Sequence, residues 1–316
     1  MNQMNDRIAG VMIGTAVGDA LGAGYEFGSA SLGPDGPHMI GGGLGNFAPG
    51  EWTDDTTMAW CVLDAAAQHG GLASEAALDA VARNFREWYD SRPPDIGTQT
   101  RAVLAAGGPR PTSAGLRQAS AEFAAGRARS AGNGSLMRTA PVAVAHLGEP
   151  GEIVRAATAV SELTHADPLA AQACVLWSLA IDRAVRDGVL DVRSGLEWFD
   201  DDEVRDYWAG AIDEAEQGPP SRFVKNAWAV GALQAAWSAI HHTPVPADDP
   251  SRHATQALAT AIAIGNDTDT VAAIAGGLLG ARWGASAFPA QWRGMLHGYP
   301  GLTGERLEEL AHAVSA

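Results

Sequence analysis

Two short acidic segments carry the most chemical content in this chain: Thr53-Asp54-Asp55-Thr56 near the front, and Gly265-Asn266-Asp267-Thr268-Asp269-Thr270 near the back. Each joins two carboxylates to threonine hydroxyls and runs into an apolar stretch of helical character, so each is predicted to open a helix. One Asp or Thr is enough to cap a helix N-terminus and to suit the positive end of its dipole. Three oxygen donors at each end exceed that need. Oxygen-only sets without Cys or His match hard cations such as Mg2+ or Mn2+. If folding joins the two ends, Thr53, Asp54, Asp55, Asp267, Asp269 and Thr270 could hold two ions.

Four further segments have residue types suited to the same pocket. Gly132-Asn133-Gly134-Ser135-Leu136-Met137-Arg138 sets a glycine-rich turn and a cation ahead of a helix-like run. The backbone N–H groups of such a turn can cradle a phosphate, and the same sequence also reads as an ordinary turn. Glu26, between Tyr25 and Phe27, is either a partly desolvated general base or an exposed loop acid. His165, in Thr164-His165-Ala166-Asp167, is a ligand contact or a structural histidine at a helix start. Asp95, after Pro93-Pro94, either nucleates a turn or presents a rigid carboxylate at a loop tip.

The elements that must position these groups read as helices. Apolar residues three and four apart recur over residues 8–22, 57–69, 74–89, 115–125, 137–146, 152–164, 168–187, 221–241, 253–264, 271–283 and 305–314. Strand-like alternation is almost absent, and Gly, Pro, Asn and Asp separate the runs, so the chain is predicted to be all-α. Its Ala- and Gly-rich helices can approach closely, which favours a single multi-helix domain over 1–316. Residues 29–50 read as a long glycine-rich loop, either a lid or binding loop or a mobile connector. Asp200-Asp201-Asp202-Glu203 reads as a solvated charge run between helices.

A chain of 316 residues, 46% of them hydrophobic, can fill a large core. A net charge of −16 argues against a general nucleic-acid-binding surface while leaving room for one small anion in a local pocket. Cys61 and Cys174 lie in apolar runs without metal-type spacing, which fits buried thiols in a reducing compartment. No signal-peptide pattern opens the chain, and the uninterrupted apolar runs fall short of the ~18 residues that span a bilayer. The expectation is a cytoplasmic monomer without membrane contact.

In their order along the chain, Thr53-Asp54-Asp55-Thr56, Gly132-Asn133-Gly134-Ser135 with Met137-Arg138, Thr164-His165 and Gly265 to Thr270 resemble the ADP-ribosylglycohydrolase family, over residues 8–283. The resemblance implies an all-helical orthogonal bundle with two Mg2+ or Mn2+ ions in a central cleft, releasing free ADP-ribose from modified targets. It implies that Thr53, Asp54, Asp55, Asp267, Asp269 and Thr270 ligate the ions, with Asp269 bridging. Glu26 then matches a glutamate on a mobile loop near the scissile bond. The turn of Asn133, Gly134, Ser135, Met137 and Arg138 would hold the diphosphate, and His165 the distal part of ADP-ribose. The Pro93 to Gly97 and Ser135 to Pro141 segments look closest to dinitrogenase reductase-activating glycohydrolases and related ADP-ribosyl-arginine hydrolases. Asp95 would then face the leaving group, joining Glu26, Asp54, Asp55 and Asp269 as the catalytic set, and an ADP-ribosylated protein would be the partner. The alternatives are a serine or nucleobase linkage on the same fold, and a non-catalytic ADP-ribose-binding protein.

Overall fold

Glycines at four-residue intervals, Gly10, Gly14, Gly18 and Gly22, determine how the two central helices meet. In the computed structural model, which describes residues 2–315, they lie along one edge of α1 (Gln3–Gly22). A Cβ on Gly10 would sit 2.2 Å from the Gly280 carbonyl oxygen, one on Gly14 2.1 Å from that of Gly276, and one on Gly18 2.0 Å from that of Ala272. Partner numbers fall as α1 numbers rise, so the helices run antiparallel, backbone against backbone. Both are buried on all sides over most of their length, as expected for helices without a polar face.

Around this pair the chain lays down α2 (Asp54–His69), α3 (Glu75–Asp90), α4 (Thr98–Ala106), α5 (Ser113–Ala124), α6 (Ala140–Ala145), α7 (Pro150–Glu162) and α8 (Pro168–Asp187). Then come α9 (Asp202–Gln217), α10 (Ala229–His242), α11 (His253–Ala263), α12 (Thr268–Trp283), α13 (Ala290–Met295) and α14 (Gly304–Val314). The fold is all-α, as predicted. The one sheet among the described residues is the hairpin of β1 (His297–Gly298) and β2 (Leu302–Thr303). One contiguous apolar cluster joins residues from most helices, including Met12, Leu21, Phe85, Trp177, Trp208 and Leu279. Both cysteines are buried and free.

Each predicted helical run contains a helix, but three helices carry too weak an apolar stripe to be seen in advance. Of α4 only Thr100, Val103 and Leu104 are buried, α13 buries nothing, and α9 hides a four-residue stripe among acids. The acidic run 200–203 therefore opens α9 instead of lying between helices: Asp201 caps it, its carboxylate accepting from the Glu203 N–H at 2.8 Å. The segment Gln3–Gly28 is apolar and long enough to pass for a membrane span by composition, although Asp19 and its glycines interrupt the apolar run, and its most apolar window is wholly buried here.

Replacing Gly14 or Gly280 by valine is predicted to destabilise the protein by about 3 kcal/mol or more in urea melts, because backbone cannot yield as a side chain can. Gly210→Ala, in exposed helix with nothing within 4 Å of the new methyl, should instead gain roughly 0.5–1 kcal/mol.

Candidate active site

The antiparallel contact ends where the chemistry begins. Beyond Gly18 the last turn of α1 meets the first turn of α12: a Cβ on Gly22 would lie 2.6 Å from the Asp269 Cα, and the Thr268 hydroxyl donates to the Gly22 carbonyl at 2.9 Å. A 3-10 segment, Ala23–Gly28, extends α1. Its Phe27 N–H donates to the Asn266 carbonyl at 2.7 Å. Phe27 (φ 44°) and Asn266 (φ 61°) both hold left-handed backbone, a strain that bulky Phe27 bears only where its surroundings impose it. The result is that one oxygen each from Glu26, Asp267 and Asp269 lie within 4.8 Å of one another. Glu26 is thus buried, on a turn that continues directly from α1. The loop 29–50 packs over it: Leu44 offers its N–H to the Glu26 carboxyl, and Tyr25 and His38 are joined by hydrogen bonds.

The first acidic segment is held by a residue outside the motifs that the sequence singles out. Asp19, fully buried in α1, accepts from the N–H groups of Thr53 (3.0 Å) and Thr56 (2.9 Å) and from the Thr56 hydroxyl (2.6 Å). Burial outweighs these bonds and raises its pKa to about 6. The signal was a carboxylate inside an otherwise apolar helix. Thr53 caps α2, and its hydroxyl also donates to Asp55 at 2.9 Å. The other Asp55 oxygen, Oδ1, is buried with no hydrogen-bond partner.

A cavity of about 410 Å³ opens over these groups, within the range of small-ligand sites. Glu26, Asp54, Asp95, Asp267, Asp269 and Thr270 line it, and no Lys or Arg does. Burial first, and then mutual repulsion, push Asp54, Asp55 and Asp269 well above the usual carboxylate range; Glu26 rises to about 8 through burial and the charges of Asp95 and Asp267. Asp95 is raised by burial, against the Ile96 N–H and Arg101. Buried acids without a counter-cation, one with an orphaned oxygen, are a donor set that a divalent cation would complete. Asp267 has neutral support: Asn133 donates to its carboxylate at 2.8 Å, and Asn226 accepts from its N–H at 3.2 Å.

The far wall of the cavity is the glycine turn. Gly132 and Gly134 leave room for the His165 ring, since a Cβ on either would lie 3.1 Å from it. The Thr164 hydroxyl accepts from Arg138 at 2.8 Å and lies 2.8 Å from His165 Nδ1, so it holds the ring with Nε2 beside the turn. Burial, with the nearby Arg138 charge, lowers the His165 pKa well below its usual value, so the ring is neutral. Asn133, Gly134, Met137 and His165 line the cavity as expected.

Arg138 and Ser135 do not. The Arg138 guanidinium is fully buried, stacks over Phe85 and donates to the Gly134 and Val160 carbonyls and to Thr164. It braces the turn from behind instead of meeting a ligand, and Ser135 points to Ser161 and Cys174. Gly132, Asn133, Gly134 and Met137 reach the cavity, whereas Ser135, Leu136 and Arg138 are buried away from it. Thr98, Gln99 and Thr100, at the start of the unforeseen helix α4, also line it, and Gln99 donates to the Thr164 carbonyl at 3.0 Å. Their one sequence signal was Gly97-Thr98 ahead of Val103-Leu104.

Fold and site together define a class: an all-helical protein with an acidic, cation-ready cleft facing a glycine turn. The family model described as ADP-ribosylglycohydrolase matches residues 1–316, and the chain belongs to that family, whose members hydrolyse glycosidic bonds. Over 302 residues it is 31% identical to the ADP-ribosylarginine hydrolase Tri1 of Pseudomonas putida, covering 92% of this chain and 74% of that one. It is 29% identical to the ADP-ribosyl-[dinitrogen reductase] glycohydrolase of Rhodospirillum rubrum, covering 92% and 90%. A solved structure titled ADP-ribosylglycohydrolase-related protein complex superposes with a TM-score of 0.72 at 27% identity, over 100% of this chain and 99% of that one.

Because Arg138 supports the fold, Arg138→Met is predicted to cost about 3 kcal/mol in urea denaturation, the scale of losing a buried, hydrogen-bonded charge. A phosphate-binding role would instead weaken ADP-ribose affinity, read by calorimetry, at unchanged stability.

Proposed function

We propose that the protein hydrolyses the N-glycosidic bond of ADP-ribosyl-arginine in a modified protein, releasing free ADP-ribose, with two Mg2+ or Mn2+ ions held by Thr53, Asp54, Asp55, Asp267, Asp269 and Thr270. The observation that carries this reading is the convergence of uncompensated buried carboxyls opposite the glycine turn and His165. Asp269 would be a ligand to the ions in this scheme, its carboxyl pushed up by burial and by the neighbouring charges of Asp55, Glu26 and Asp267. The names of two relatives, which specify arginine hydrolysis and dinitrogen reductase, support the arginine linkage and a protein target. The protein acts in this reading as a cytoplasmic monomer, without membrane or general nucleic-acid contact.

Bound ions would orient the ribose hydroxyls and lower the pKa of a water. The residues of the chain do the rest. The Gly132–Gly134 backbone binds the diphosphate, and the neutral His165 ring contacts the distal part of the ADP-ribose. Glu26 accepts the proton of the attacking water, and the carboxylates oppose the positive charge that develops on the ribose ring. Cleavage of the C–N bond in the cationic adduct releases neutral guanidine, which takes up the proton that Glu26 took from the water, and Asp95 pairs with the guanidinium so formed.

The test is ADP-ribose release from ADP-ribosyl-arginine and ADP-ribosyl-serine peptides with Mg2+ or Mn2+. Release from arginine alone is expected, falling roughly 10²-fold or more in Asp54→Ala and Asp269→Ala, at least the loss that disturbing a metal site brings. Release from serine alone would overturn the linkage.

A second prediction follows from the raised carboxyl pKa values. A raised folded-state pKa favours the folded state fully below the unfolded value and loses that contribution as pH rises to the folded one, so in EDTA the melting temperature should fall from about pH 4.5, the ordinary glutamate value, to about pH 8, the Glu26 value. Mn2+ at 100 times its Kd should restore about 2.7 kcal/mol. At the Mn2+ concentration that is 100 times the Kd at pH 8, the restoration should be smaller at pH 5.5, where protons compete for the ligands. A pH-independent melting temperature in EDTA would contradict it.

A further inference from the structure

Asp54 and Asp95 line two cavities, not one. The second, of about 680 Å³, lies on their other side, away from the glycine turn, and its wall is built around the hairpin. The hairpin is seated on the strand of chain leading into the first acidic segment: the His297 N–H donates to the Gly50 carbonyl at 3.2 Å, and the Trp52 N–H to the His297 carbonyl at 3.0 Å. Gly298 lies flat on the Trp52 indole, where a Cβ would come within 2.3 Å of Nε1. Phe47, Trp52, Trp88 and Tyr299 supply aromatic walls, and Glu51 adds a third carboxyl to Asp54 and Asp95. The exposed Arg92 and the half-buried His297 are the basic side chains on the lining. Trp52 is 1% exposed, so its indole is a fixed part of this wall.

We infer that this second cavity receives the arginine side chain of the target together with its flanking main chain. The inference rests on the proposed arginine linkage and extends it to the protein side of the bond. With the ADP-ribose over the glycine turn, the scissile bond falls at the shared Asp54–Asp95 wall, and only the leaving group continues beyond it. A planar guanidinium stacks on aromatic faces and pairs with carboxylates through its fork of N–H groups, which is the chemistry this lining offers. The volume exceeds what one side chain fills, so main chain enters with it. Glu51 and Tyr299 are the residues that set specificity for the target side.

The experiment compares kcat/KM for an ADP-ribosyl-arginine peptide with that for ADP-ribosyl-guanidine, which keeps the scissile bond and lacks the alkyl chain and peptide. Glu51→Gln keeps an oxygen for the Ala48 N–H that Glu51 now binds at 2.7 Å, and Tyr299→Leu keeps apolar packing against Trp60. Each is expected to lower kcat/KM for the peptide roughly 10-fold, the scale of a desolvated cation–π or charged hydrogen bond. The guanidine adduct and ADP-ribose affinity should change less than about twofold in comparison. Equal losses on both substrates, or none on either, with active wild type overturn the cavity assignment alone. A wild type that cleaves neither arginine adduct overturns the linkage reading and this inference with it.

Discussion

The site depends on two helices touching backbone to backbone. Side chains along the α1–α12 seam would hold the axes apart, and the first turn of α12 would then miss the end of α1. Because Gly10, Gly14 and Gly18 present no Cβ to Gly280, Gly276 and Ala272, the turn bearing Glu26 comes down on the turn bearing Asp267 and Asp269. The same α1 carries Asp19, whose carboxylate gathers three donors at the start of α2 and so fixes Asp54 and Asp55. One helix therefore registers both acidic segments against each other.

That rigidity has an electrostatic cost that the fold carries openly. Several carboxyls are buried together, their pKa values raised by burial and by one another, and an Asp55 oxygen has no partner. Proteins rarely tolerate such groupings without a compensating cation. Compensation by Lys or Arg is absent from the lining of the cleft, while Arg138, the nearest conspicuous cation in the sequence, is turned inward to brace the glycine turn. Positive charge withheld from the pocket leaves the acids open to ions from solution, and the neutral His165 opposite them can serve an anionic ligand without competing for those ions.

Much of this was legible in residue order. Helical periodicity gave the all-α class, and the paired Asp-Thr segments marked both halves of the acidic cleft, since both features are local patterns. The glycine turn and His165 were visible for the same reason. Glu26, Asp54, Asp95, Asp267 and Asp269 do share one cavity. The helices α4, α9 and α13 were not legible, because each buries few side chains and relies on neighbours for its stability. Thr98 to Thr100 were missed along with α4.

The sequence by itself determined which groups the protein has available: the carboxylates, their placement at helix starts, and the glycines that permit close packing. Only the tertiary structure decided which way each side chain faces. Met137 and Arg138 are adjacent in sequence, yet one lines the cavity and the other is sealed against Phe85. Asp19 reads as one polar residue in an apolar helix until the donors of α2, more than 30 positions away in the chain, are set around it. The wall behind Asp54 and Asp95 is likewise assembled from residues 47–57, 88–95 and 297–303. Local pattern reports period and propensity, whereas facing and pairing depend on which distant backbone arrives alongside, and that is settled only when the core closes.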